Sequence, residues 1–325
     1  MSKLLILALL FCPFLNAQYT DSDRDGLPDP LEQQLLEKFR PTFMVSANEC
    51  DVAPAEFKPN HKTPVMLHKD GTIYGQAFLA TAGAPGVVQI ELHYYHLWSR
   101  DCGRLNHPLD AEHVSALVQG TDLTSLAETW RATYWYAAAH QDTLCDASSA
   151  AKAAVLRAEQ HGPVVWISSG KHASFFVQQD CEHGCGGDRC RDMKELKQAA
   201  LINIGERDAP MNGALWINAT SWLLPEKLHP DFTPTMVAQI DSLSETSNVI
   251  GVSTVPGSVR GVIRVSNTTT DGLATGKRHT GNALSTATKH TGGALKTGYR
   301  SVKGALGGNA KKEPKTPESN PPGNQ

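Results

Sequence analysis

Past its first 17 residues the chain has no apolar run long enough to cross a bilayer, which excludes a membrane-spanning helix. Neither H-E-x-x-H nor G-x-S-x-G occurs, so the zinc-protease helix and the serine-hydrolase elbow are both missing, and Ser168 and Ser169 do not read as nucleophiles. Charged residues make up only 19% and apolar residues 40%, the balance of a soluble globular protein. A chain of 325 residues can bury one large core or two modest ones. The most telling absence is local. Between Gly272 and Lys312 there is no acidic residue against eight basic ones, whereas Gln18 to Asp271 carry 20 Lys plus Arg and 31 Asp plus Glu, a net of −11. An acidic body with a basic tail points to a tail that touches its own body or an anionic surface, and no nucleic acid is expected as a partner.

The start, MSKLLILALLFCPFLNAQ, places a lysine, an apolar run from Leu4 to Leu15 and the small Ala17 in the order of a secretory signal peptide. Residues 1–17 are therefore expected to be removed and the protein to be secreted, extracellular or periplasmic. Six cysteines then remain, Cys50, Cys102, Cys145, Cys181, Cys185 and Cys190. An even number in an oxidising compartment predicts three disulfides, of a pairing that spacing alone leaves open. The cluster CEHGCGGDRC lacks zinc-knuckle spacing, and export disfavours thiolate-bound zinc.

The first motif of the mature chain is a calcium loop. Asp21, Asp23, Asp25, Gly26, Leu27, Asp29 and Glu32 fall at positions 1, 3, 5, 6, 7, 9 and 12. Alternate carboxylates point inward, Leu27 offers its carbonyl, Gly26 makes the sharp turn, and Glu32 can close the shell with both oxygens. An exiting helix follows in PLEQQLLEKF, with Leu31, Leu35 and Phe39 at helical spacing. There is no room for an entering helix after the signal peptide. The loop looks like the single calcium loops of secreted bacterial proteins, which act as structural clips.

The stretch Val87 to Val118, VVQIELHYYHLWSRDCGRLNHPLDAEHVSALV, is the centre of the chain. A strand rich in aromatics runs into a polar loop from which a second strand leaves. If Asp110 to Val118 is extended, its period of two puts Asp110, Glu112, Val114, Ala116 and Val118 on one side. Two carboxylates then stand above an apolar stripe, with His107 three residues ahead and Asp101 in the same loop. Mixed carboxylate and imidazole donors suit Mg2+, Ca2+ or Mn2+ rather than structural zinc. His93 and His96 fall on opposite faces of the first strand if it is regular and read as structural, and Glu91, on the face of His93, reads as a partnered strand residue rather than a catalyst.

Elsewhere the pattern favours strands. Arg40 to Gly86 holds FRPTF, short alternating runs and a hairpin expected at Asp70-Gly71. RATYWYAAAHQD and PVVWISS read as strands, the second delivering His172 just past its end, where an acid–base role is possible. Alanine-rich Ala147 to Gln160 reads as the clearest helix, and Asp192 to Ala200 as a shorter one. The fold class expected is mainly β, a β-sandwich with peripheral α-helices. The expected division is 1–17 signal peptide, 18–40 calcium loop and helix, 41–265 sandwich, and 266–325 basic tail.

At the centre, HPLDAEHV resembles the H-x-x-D-x-E-x-V element of two groups. The vacuolar protein sorting-associated protein 62 family reads close to H-E-G-D-W-E-H-V, and the necrosis-inducing (NLP) cytolysins carry G-H-R-H-D-W-E. FRPTF with Glu49 and Pro54, VVWISSGKHAS and LINIGE are similar to further landmarks of the sorting-associated family, over about Arg40 to Trp222. The resemblance implies a β-sandwich. By the cytolysin pattern it implies a divalent cation held by His107, Asp110 and Glu112, with Asp101 as the nearest counterpart of an upstream aspartate. Leu109 and Ala111 depart from the cytolysin histidine and tryptophan, which argues against importing necrosis-inducing activity.

In the tail, GNAL, GGAL and KGAL set Leu284, Leu295 and Leu306 eleven residues apart, with Leu273 extending the series. Arg278, Lys289 and Arg300 recur at the same period. Such a segment is disordered in water or becomes an amphipathic helix on an anionic membrane, similar to the eleven-residue lipid-surface helices of synuclein- and perilipin-like proteins. The reading that follows is a secreted protein that binds lipid or glycolipid head groups at the His/Asp/Glu cation site, a mode of binding that can perturb a membrane. The alternatives are a metal-dependent hydrolase using His172 and a calcium-stabilised cell-envelope structural protein. The sequence alone does not decide whether the chain is an enzyme.

Overall fold

Two long neighbouring strands, both buried along most of their length, set the architecture. In the computed structural model β5 (Val88–Asp101) and β6 (His107–Gly120) form an antiparallel hairpin that pairs Tyr94 with Val114, His96 with Glu112 and Trp98 with Asp110. The described residues are 20–80, 86–103, 106–141, 143, 146–182, 187–242 and 250–251. The signal peptide, the repeat tail, Cys145 and Cys185 lie outside them.

The elements run in order from α1 (Asp29–Lys38) through β1 (Thr42–Ser46), β2 (Glu56–Phe57), β3 (Met66–His68) and β4 (Ile73–Leu79) to the β5–β6 hairpin. After it come β7 (Arg131–Ala137), β8 (Ser149–Lys152), β9 (Val164–Ile167), β10 (Ser174–Phe175), α2 (Gln178–Glu182), β11 (Met193–Glu195) and β12 (Leu201–Asn203). The last are α3 (Leu224–Lys227), α4 (Pro234–Asp241) and β13 (Ile250–Gly251). A seven-stranded sheet has the order β12-β4-β5-β6-β7-β8-β13, a four-stranded one the order β10-β9-β1-β11, and β2 pairs with β3. The protein is mainly β with short peripheral helices, and none of the described helices is long and apolar enough to cross a membrane.

Burial explains the layering. Leu92, Tyr94, Trp98, Val114, Ala116 and Val118 point from the large sheet into one core with Phe43, Val45, Val165 and Ile167 of the small sheet and with α1. The other face of the large sheet carries Tyr95, Leu97 and Ala111, covered by Trp216, Ile217, Leu224 and Leu228. Each such aliphatic side chain contributes about 1.5–3 kcal/mol by leaving water. Gly75 lets α1 close onto β4, since a Cβ there would sit 2.8 Å from the Leu36 side chain.

Three local expectations are corrected. Ala147 to Gln160 contains β8 followed by turns, not a helix. Ala150, Ala151, Ala153 and Ala158 are buried against β7 and the indole of Trp135, which donates to the Ala158 carbonyl at 3.0 Å. Small side chains here permit close strand packing, and that tertiary gain overrides alanine's helix preference. Asp192 to Ala200 contains β11, because its backbone completes the edge of β1. Asp70-Gly71 does not close a hairpin, for β3 pairs with β2 while β4 joins the large sheet.

Candidate functional site

The period-two reading of β6 places Asp110 and Glu112 on the core-facing side, at the end of the hairpin where β6 is no longer paired to β7. Just before Asp110 the ladder breaks. Leu109 takes a φ of 59°, a strained conformation for a branched side chain, and packs its side chain against the Tyr95 and Trp216 cluster. Across from it, Ser99 turns its N–H and hydroxyl to the buried Asp51 carboxylate, each at 2.7 Å. The kink brings single donor atoms of Asp101, His107 and Asp110 within 4.8 Å of one another. His107 Nε2 lies 3.9 Å from Asp101 Oδ2, and the imidazole is 42% exposed. Three of the four residues expected from sequence are thus brought together.

Glu112 is not turned toward them. Its carboxylate pairs with Lys227 Nζ of α3 at 2.8 Å. Burial pushes its pKa up to about 7 although the ammonium pulls the other way. Lys227 carried no sequence signal, as it comes from a helix over a hundred residues away.

His172 is fully buried. The loop after β9 curls back through a His172 N–H to Ser168 carbonyl bond of 2.9 Å, with Gly170 and His172 both at positive φ. This aims the imidazole between two acids. Nδ1 donates to Asp110 Oδ2 at 2.8 Å, and Nε2 faces Glu49 Oε1 at 3.6 Å, an ion-pair distance rather than a hydrogen bond. The ring stacks on Trp98 with centroids 3.8 Å apart. Burial opposes its charge, but the two carboxylates outweigh it and raise the pKa to about 9. Asp110 is in turn held below the usual carboxylate range, where the imidazolium outweighs burial. Glu49 is fixed by the Gly170 N–H at 2.9 and 3.0 Å, and the Cys50–Cys102 disulfide ties its loop to the end of β5. With both nitrogens facing carboxylates and no exposed surface, His172 positions Asp110 and offers nothing to a substrate. Among the described cysteines, Cys181 pairs with Cys190.

Behind the hairpin, on the opposite face, lies a network that strand pairing alone could not reveal. Glu91 accepts from His93 Nε2 at 2.7 Å and from the Asp231 N–H at 2.5 Å. Asp231 accepts from His113 at 2.9 Å and Ser115 at 2.5 Å. Burial pushes His113 down to about 4, and neighbouring imidazoles hold Asp231 at about 2. His93, His113 and Asp231 could geometrically hold a metal, but His93 Nε2 and His113 Nε2 are already bonded to Glu91 and Asp231, and the network anchors the segment around Asp231 to the sheet. His96 remains neutral because of its burial, accepting from Trp98 Nε1 at 2.9 Å and contacting Ser174 Oγ at 2.8 Å.

The N-terminal loop is the other acidic centre. Asp21, Asp23 and Asp29 group together, as do Asp23, Asp25 and Glu206, each set offering donor atoms within 4.8 Å. Asp23 and Glu32 are buried. Burial, reinforced by neighbouring carboxylates, pushes Asp23 up to about 7 and Glu32 up to about 9. Glu206 was not foreseen, because a donor arriving from a distant strand end leaves no trace in the loop motif.

These features define a disulfide-stapled β-sandwich with two acidic centres, one at the tip of its longest hairpin and one at its N-terminal loop. No protein-family model matches the chain, and none of the curated proteins does. Among solved structures, NLPPya in complex with mannosamine is similar at 16% identity and a TM-score of 0.33, over 60% of this chain and 84% of that one. Necrosis and Ethylene inducing Protein 2, from the causal agent of cocoa's Witches Broom disease, is similar at 18% identity and a TM-score of 0.32, over 69% and 96%. TM-scores in this range describe partial overlap, so what the centres do has to come from their own geometry.

Proposed function

We propose that the chain is a secreted, non-enzymatic binding protein in which Asp101, His107 and Asp110 hold a divalent cation that bridges to a hydroxyl-rich glycolipid head group. The observation that carries this reading is the convergence of the three donors at a half-open hairpin tip. Two carboxylates and an imidazole fill part of an Mg2+, Ca2+ or Mn2+ shell and leave positions for oxygens of a ligand. The fit is partial by design of the charges. His172 already neutralises Asp110 and Lys227 neutralises Glu112, so the cation is held weakly and is strengthened by the ligand it bridges. The basic repeat tail would add attraction to anionic lipid. The hydrolase reading loses its acid–base residue, since His172 is sealed from solvent.

Flotation with vesicles containing a glycosylated sphingolipid tests the proposal. Binding is expected with Mg2+ or Mn2+ in calcium-containing buffer, and Asp101→Asn with His107→Ala should lower bound protein at least tenfold. Equal flotation of that variant would overturn it.

A further inference from the structure

The N-terminal loop holds more unpartnered charge than any other part of the described protein. Asp21 Oδ1, both oxygens of Asp23, Asp25 Oδ2 and Glu32 Oε1 are buried without a hydrogen-bond partner. The second oxygens of three of them are occupied: within the loop the Gly26 N–H bonds Asp21 at 3.1 Å and the Leu27 N–H bonds Asp25 at 2.7 Å, while Asn203 Nδ2 of β12 bonds Glu32 at 2.5 Å. One free oxygen each of Asp21, Asp25 and Glu32 and both of Asp23 are left buried without a partner. Among the described residues no Lys, Arg or His forms an ion pair with any of the four acids. Buried carboxylates without a counter-charge cost several kcal/mol each unless a cation is present. Asp23, 2% exposed with both oxygens free, and Glu32, 0% exposed with one free, are the decisive side chains.

Asp29, at the ninth position of the motif, is already engaged. Its two oxygens take the Ser22 N–H at 2.7 Å and the Ser22 hydroxyl at 2.6 Å, bracing the loop. The remaining side is filled by Glu206, whose carboxylate joins Asp23 and Asp25. Glu206 stands just beyond β12, where Gly205 takes a φ of 64° and the Gln76 amide bonds one Glu206 oxygen at 3.0 Å. We propose that the loop is a calcium site completed from outside its motif by Glu206, so that one cation clips the N-terminal loop and α1 to the far end of β12. Hard oxygen donors in this number select Ca2+ over softer metals, and Gly26 at a φ of 92° supplies the turn that a side chain would strain. The clip joins the first described residues to a strand near the end of the sandwich, which closes the sheet edge β12-β4 on α1.

Calorimetric titration of the full mature chain with Ca2+, after chelation and desalting, tests this together with thermal unfolding. One tight site is expected, and Tm should rise by about 5–10 °C when Ca2+ exceeds the dissociation constant about 100-fold. Glu206→Gln should weaken binding at least tenfold. The same variant should leave the calcium-free Tm equal to or above that of the parent chain, because it removes like-charge repulsion while keeping the bond to Gln76. A purely structural role for Glu206 would lower Tm equally with and without calcium, and that result overturns the proposal. So would wild-type calcium affinity in Glu206→Gln, or an absence of calcium heat and Tm shift in the parent chain. Asp101→Asn, at the other centre, should retain the tight site.

Discussion

The two acidic centres contain similar residues and differ in who neutralises them. At the hairpin tip the protein brings its own bases: His172 for Asp110 and Glu49, Lys227 for Glu112. At the N-terminal loop Asp23 and Asp25 meet Glu206, Asp21 and Glu32 keep further buried oxygens free, and none of the four loop acids forms an ion pair with a base among the described residues. A self-neutralised centre folds without metal and binds a cation weakly, ready to share it with a ligand. An uncompensated centre stores repulsion until a cation enters, and then acts as a clip. Acid count alone does not separate these roles. Counter-charge does.

The sharpest way to break this comparison is to delete one acid from each centre in calcium-free buffer. Asp110→Ala leaves a buried imidazolium without its closest partner and should cost about 3–5 kcal/mol in denaturant unfolding. Asp23→Asn should cost nothing or stabilise, as it relieves repulsion and breaks no ion pair. Equal losses in both variants would mean that the loop has a counter-charge of its own.

The pH dependence offers a second, somewhat smaller contrast. In the unfolded chain Asp and Glu titrate near 3.8 and 4.5, whereas in the folded loop Asp23 is raised to about 7 and Glu32 to about 9. The folded state then holds more protons, so calcium-free protein loses stability as pH rises between about 5 and 9. Calcium keeps the loop acids ionised and abolishes that part of the slope. His172, raised from 6.5 to about 9, contributes stability that is complete below 6.5 and lost as pH rises through 9, roughly 3 kcal/mol at most. Unfolding curves from pH 5 to 9 should therefore fall less steeply when Ca2+ is present, so that the stabilisation by Ca2+ grows as pH rises toward 9. Parallel curves would contradict the assignment.

Part of the sandwich was legible because successive side chains of a strand point to opposite faces: the side of β6 carrying Asp110, Glu112 and Val114 follows from that period alone. Local composition misled where long-range packing decided the outcome, as in the alanines of β8, whose small size serves strand contact rather than a helix. The candidate sites were legible as motifs and illegible as circuits. Glu112 stood in the right motif, yet its partner Lys227 comes from α3, and Leu109 bends the strand between His107 and Asp110 in a way no pattern encodes. Glu206 and Asp231 are the same case. Each is an acid whose meaning depends on what the fold sets beside it.

Metal analysis of the purified mature chain after gel filtration in metal-free buffer tests the contrast most directly. The account predicts close to one retained calcium per chain, lost in an Asp23→Asn, Glu32→Gln variant and kept in an Asp101→Asn, Asp110→Asn variant. Calcium that survives the loop substitutions but disappears with the hairpin substitutions would contradict it.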